Sequence, residues 1–265
     1  MTNTATDRAE RSVAPVAAKR RVAASRAALL AVAAGAWVGT ILWARDTGNG
    51  PGTMGLGLGR FVAMWALMMT AMMLPSVARV AGPSELKTSE RRAVSAGPNA
   101  GETFVFAAGY LLGWAVTGLP AFGAAVLAGR LTDHHPTAAT AAAVAIFALV
   151  GLYQFTAMKR RSLEHCRVPL ISGGSLPTAL RNGARYCGWC LACSWGAVTL
   201  MITLGVMSIA AMVVLALVIY AERFVFPGRL FSRLSGVAGL AVGALVVASP
   251  SLAAGLHQMP SMPHM

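Results

Sequence analysis

The run RYCGWCLACSW at 185–195, followed by almost unbroken apolar sequence as far as Glu222-Arg223, decides how this chain folds. Positions 185–223 make 39 residues. As one straight helix they would reach about 58 Å at about 1.5 Å per residue, against a bilayer core of about 30 Å. The run must therefore fold into two helices, and Gly205 is the natural break. Three of the four cysteines, Cys187, Cys190 and Cys193, fall at its start. The remaining sequence reads as helical scaffold around them.

Composition points the same way. The chain has 265 residues, of which 56% are hydrophobic and 12% charged, with a mean hydropathy of +0.63. A soluble domain carries roughly 25% charged residues. Half that share, gathered between long apolar runs, describes a polytopic membrane protein. The net charge of +13 does not point to nucleic acid, because the basic residues sit on the N-terminal tail and between the apolar runs. They are not interleaved with aromatics on a polar face. Four cysteines in a chain of this size do not form a disulfide framework.

The expected fold is all-α: a membrane bundle of about seven helices in three parts. A disordered basic tail occupies 1–25, a transmembrane domain 26–256, and a Met/His-containing tail 257–265. Apolar runs place helices at about 27–44, 60–80, 103–128 and 138–158. The organising run supplies two more, and 237–256 the last. Pro75 is expected to kink the second helix. Gly35 with Gly39, Gly109 with Gly113, and Gly239 with Gly243 give small-residue faces suited to close helix packing. The segments 162–182 and 230–236 are expected as loops. Seven spans with an inside N-terminus leave Arg45, Arg60 and Arg130 outside and the other nineteen of the 22 Lys and Arg inside. By the positive-inside rule this predicts the cytoplasmic (inner) membrane of a bacterium, with the cysteines facing the cytosol and the C-terminus outside.

Cys187, Cys190 and Cys193 recur every three residues, so on a helix they fall within an arc of about 120° and rise about 9 Å. Thiolates so spaced hold a soft ion such as Cu(I) or Zn(II), and His165-Cys166 in the preceding segment would complete the set. Met64, Met68 and Met72 form one face of the second helix. Thioethers suit Cu(I), and flexible apolar packing is the competing role. His257, Met259, Met262 and His264 give the C-terminal tail a copper-collecting composition. No Asp, Glu, Lys or Arg stands at the centre of a span, which argues against a carboxylate proton relay. Glu222 and Arg223 read as a local ion pair. With no phosphate loop, dinucleotide fingerprint or nucleophile elbow, an enzyme is not expected.

The combination also resembles a bacterial family of unknown function, described as predicted metal-binding integral membrane proteins. The resemblance is carried by Met64-Trp65 through Ala71-Met72-Met73-Leu74-Pro75, Tyr153-Gln154, Lys159, Cys166-Arg167-x-Pro169, Cys190-x-x-Cys193 with Trp195, Gly205-Val206-Met207 and Glu222-Arg223. It covers about 55–225. Where the family often has two adjacent cysteines before the Trp, Ser194 holds the second position. The resemblance implies metal binding. The partners expected of the chain are the lipid bilayer and a metal-handling protein. The function expected is soft-metal transport, delivery or sensing through cytosol-facing cysteines, with copper or zinc as the ion. A membrane thiol–disulfide oxidoreductase is one alternative, disfavoured by a reducing cytosol. A scaffold in which the cysteines merely pack is the other.

Overall fold

The computed structural model describes residues 4–47, 52–80, 100–167, 175–225, 229–249 and 254–256. Among them there are eight α-helices and no strand: α1 (Thr4–Thr47), α2 (Leu58–Val80), α3 (Ala100–His134), α4 (Pro136–Tyr153), α5 (Ala157–Arg167), α6 (Leu176–Thr203), α7 (Ile209–Tyr220) and α8 (Arg229–Ala248). A π-helical turn, Ala221–Val225, continues α7, and a short 3₁₀ turn covers Ala254–Leu256. Six stretches are long and apolar enough to cross a membrane; they lie on α1, α2, α3, α4, α6 and α8. α7, even with its π turn, is not among them.

α6 is the hinge of the arrangement. It lies along α3, with α4 and α5 also against it, and leads into α7 at one end. Small residues permit the α3–α6 approach. A Cβ on Gly109 would strike the Leu180 carbonyl, and one on Gly183 the Phe106 carbonyl. A Cβ on Gly113 would meet Cys187 Sγ at 2.7 Å. The spacing of Gly109 and Gly113 thus signals helix contact, as expected. Gly183→Ala is expected to lower stability by about 3 kcal/mol, the upper end for an overpacked site, because backbone cannot swing aside as a side chain can. Thermal unfolding in detergent measures it.

The break in the organising run falls at Gly205, which adopts φ +98°, a conformation that residues with a Cβ rarely take. Ser208 then caps α7, its hydroxyl accepting from the Ala211 N–H at 3.4 Å. Pro75 lies inside α2 as expected.

Other boundaries differ from the sequence reading. The fourth helix stops at Tyr153, and a turn at 154–156 separates it from α5, where a single helix to Met158 was expected. The segment expected as a loop at 162–182 is helical at both ends, since α5 runs to Arg167 and α6 begins at Leu176, with Pro177 in its first turn. Proline suits a first helical turn, whose N–H groups lack partners anyway. The cysteines consequently sit near the middle of a long α6 rather than in its first turns. The last helix starts at Arg229 and ends at Ala248, so 230–236 is not a loop. Helix α1 already runs from Thr4, where coil was expected, in keeping with the good helix-forming tendency of Ala and Arg.

Candidate metal centre

Three sulfurs converge where α5, α6 and the π turn meet. Cys166 of α5 places its Sγ 3.4 Å from the Sγ of Cys193 on α6. Cys190 lies one turn earlier on α6, and all of the cysteines are free thiols and buried. Tyr186, also on α6, donates to the Cys166 carbonyl at 2.7 Å and so ties α5 to α6 at the level of the sulfurs. Tyr110 of α3 lies 2.8 Å from Cys190 Sγ, and its ring meets that of Tyr186 at 5.5 Å. On the other side Tyr153, closing α4, donates to the Ala192 carbonyl at 2.6 Å and packs edge-on against Trp195.

The π turn supplies the charges. Successive residues of an α-helix point about 100° apart. Here the wider turn buries the side chains of both Glu222 and Arg223, at 4% and 1% exposure. Such turns are frequent at functional sites. The expected Glu222–Arg223 pair is not what forms. Glu222 Oε2 instead pairs with Lys159 Nζ at 2.8 Å, and its Oε1 accepts from Ser235 of α8 at 2.8 Å. Lys159 Nζ also donates to the Cys193 carbonyl at 2.6 Å. Lys159 reaches this position because α4 ends before it and α5 starts in a new direction.

Arg223 turns to the sulfurs. Its Nη2 lies 2.8 Å from Cys190 Sγ and 3.1 Å from Cys193 Sγ. Ser194 Oγ is 3.5 Å from the same nitrogen. Arg167 holds the turn from outside, donating to the carbonyls of Arg223 at 3.0 Å and Glu222 at 2.8 Å. The Cys166 thiol is pushed well above its ordinary range, first by its hydrogen bond with Cys193 and then by burial. It is therefore a neutral thiol at neutral pH, and an ion entering here must displace its proton.

Several predicted candidates lie elsewhere. His165 is exposed, bonded through Nδ1 to the Arg161 carbonyl and stacked on Trp189 with ring centroids 4.1 Å apart. Adjacent positions on α5 diverge, so burying Cys166 turns His165 outward. Cys187 faces α3 across Gly113. Met64, Met68 and Met72 are buried in the core on α2, near Trp65, whose indole donates to Thr117 at 3.1 Å. The tail residues His257, Met259, Met262 and His264 lie outside the described residues. Among the described residues, no three of His, Cys, Asp and Glu are grouped to hold a metal ion. What the structure brings together is a sulfur pair with a third sulfur across a guanidinium.

The donor set fits a soft ion. Metal–thiolate bonds near 2.3 Å allow two sulfurs on one ion to be at most about 4.6 Å apart, and the Cys166–Cys193 distance falls within that. Sequence reasoning missed Tyr110, Tyr186 and Ser235, which carry no spacing signal. It named Lys159 only as part of a motif, and Arg223 as the partner of Glu222.

No curated protein and no solved structure matches the chain. A family model, PpoB2, described as a copper chaperone, matches residues 62–246. That span takes in α2 almost whole, the sulfurs, Lys159 and the π turn, and most of α8. The match covers well over half of the sequence, and the protein belongs to this copper-chaperone family.

Proposed function

We propose that the protein is a multi-pass protein of the bacterial cytoplasmic membrane that holds Cu(I) as cargo on Cys166 and Cys193 and delivers it to a metal-handling partner. The observation that carries this reading is the 3.4 Å sulfur pair, buried and contributed by two different helices. The copper description of the family supports the ion. Thiolates favour Cu(I), and burial of the pair shields the ion from water and oxidation. The six long apolar stretches support the membrane, and the placement of the basic residues supports a cytosol-facing pocket.

Cys193 is the centre of the pair, with Cys166 opposite. Cys190, between Tyr110 and Arg223, is a third sulfur through which the ion passes to or from a partner. Transfer proceeds by exchange of thiolate ligands, with a proton returned to each sulfur that lets go. Copper content of the purified protein tests this. The wild type is expected to retain about one copper ion per chain, and Cys166→Ser/Cys193→Ser to retain almost none. Equal copper in both would end the reading. Sidedness is read separately by a reporter fused after Asn182, which is expected to be cytosolic; a periplasmic reporter would reverse the topology.

The same sulfur distance makes a chemical cross-link available. Treating the copper-free protein with the thiol oxidant diamide is expected to join Cys166 to Cys193, with loss of two thiol hydrogens to the oxidant. Prior loading with Cu(I) is expected to block it. Peptide mapping after alkylation measures both.

A further inference from the structure

We infer that His165 is the exposed relay ligand through which Cu(I) enters and leaves the buried sulfur pair. The inference deepens the cysteine-ligand reading and rests on it. The sulfurs themselves are out of a partner's reach: Cys166 and Cys190 are 0% exposed and Cys193 2%. Exchange of ligands needs the outgoing and incoming donor atoms on the ion together, and a partner outside the protein cannot share an ion directly with a sulfur inside it. His165 is exposed and stands where the missing step belongs. It precedes Cys166 on α5, and Trp189 lies one turn before Cys193 on α6. The rings of His165 and Trp189 stack at 4.1 Å and 15°. The stack thus spans the same α5–α6 seam as the Cys166–Cys193 pair, one residue away on α5 and about 6 Å along α6. The sulfurs occupy the buried side of that seam and the imidazole the exposed side.

The ring is also oriented for binding. A backbone carbonyl only accepts, so in the 2.8 Å contact with the Arg161 carbonyl it is Nδ1–H that donates. Nε2 is left as the metal-binding nitrogen. Metal-ligating histidines almost always have their other ring nitrogen fixed in this way. The stack on Trp189 holds the plane of the ring as well. Imidazole binds copper, and a pair of thiolates holds Cu(I) more tightly, so the ion passes inward. In loading, the bond between the ion and its carrier breaks as the Nε2–Cu(I) bond forms, and any proton on Nε2 goes to solvent. Sγ of Cys166 and of Cys193 then bond to the ion, each sulfur that carries a proton releases it to solvent, and the Nε2 bond breaks. Copper stays Cu(I) throughout. Unloading runs the same steps in reverse.

The test reads rate and equilibrium apart. Cu(I) held by a chromophoric chelator is offered to purified full-length protein in detergent, and its transfer is followed by stopped-flow absorbance. His165→Phe keeps a ring to stack on Trp189 and removes the nitrogen. It is expected to slow loading at least about tenfold, the lower end of what losing even an outer partner of a metal ligand costs. Its equilibrium affinity is expected to stay within about threefold of wild type, because the sulfur pair is untouched. His165→Gln is a second variant without the imidazole, should His165→Phe fail to fold, and is expected to load as slowly. His165→Met restores a soft donor at the same place and is expected to recover most of the rate. Wild-type loading speed in folded His165→Phe or His165→Gln overturns the inference. So does a His165→Met as slow as these, since the side chain would then be only a cover on the seam. A loss of affinity equal to the loss of rate also overturns it, since the imidazole would then belong to the resting site. Failure of the wild type to take up Cu(I) at all overturns the cysteine-ligand reading beneath it instead.

Discussion

Cys193→Ser is expected to weaken Cu(I) binding by more than about 100-fold, since losing only an outer partner of a metal ligand already costs about 10–100-fold. Cys193 is the sulfur on which the pocket converges: it lies against Cys166 at 3.4 Å and against Arg223 at 3.1 Å. A serine hydroxyl is a hard, poor ligand for Cu(I). Cys166→Ser should follow closely, because it removes the only sulfur that α5 contributes. Cys187→Ser is expected to leave affinity within about threefold, because that side chain faces Gly113 on α3. Competition against a chromophoric Cu(I) chelator orders the variants. If Cys187→Ser fell with Cys193→Ser, the α6 cysteine ladder, and not the α5–α6 pair, would be the site.

The second large effect concerns stability. Glu222→Gln is expected to destabilise the fold by about 3–5 kcal/mol, the usual result of removing one member of a buried ion pair. Lys159 would keep its charge at 4% exposure with only the Cys193 carbonyl, at 2.6 Å, as a partner. The converse variant, Lys159→Met, should be comparably unstable. Lys159→Met/Glu222→Met together should recover most of the loss, because no unpaired charge is left behind. Unfolding in detergent, followed by circular dichroism across the four proteins, measures the coupling. Additive losses in the double variant would mean that the two side chains act separately.

How far the sequence reveals this arrangement depends on whether the signal is local. Gly205 interrupts an apolar run too long for one span, so the α6–α7 break can be read directly. The glycines at 109 and 113 mark a helix face where backbone must approach closely, and α6 is what approaches. Cys166 stands out as the one cysteine outside the α6 run, and it does join Cys193. His165 is misjudged because adjacency in sequence is not adjacency in space: on α5 the two side chains point in different directions, and only Cys166 can face α6. The charges are harder still. Glu222 next to Arg223 suggests a local pair, yet the π turn sends one to Lys159 and the other to the sulfurs. Neither partner is near them in sequence, and Lys159 reaches Glu222 only because α4 stops at Tyr153. Tyr110 and Tyr186 sit in apolar helices with nothing in their spacing to mark them. Their role emerges only once α3 and α6 are packed.

Copper K-edge X-ray absorption on the Cu(I)-loaded wild-type protein tests the central claim most directly. The account predicts a first coordination shell of sulfur alone, from two thiolates, that is lost in Cys166→Ser/Cys193→Ser. A first shell containing nitrogen or oxygen, or a sulfur shell that persists unchanged in that variant, would contradict it.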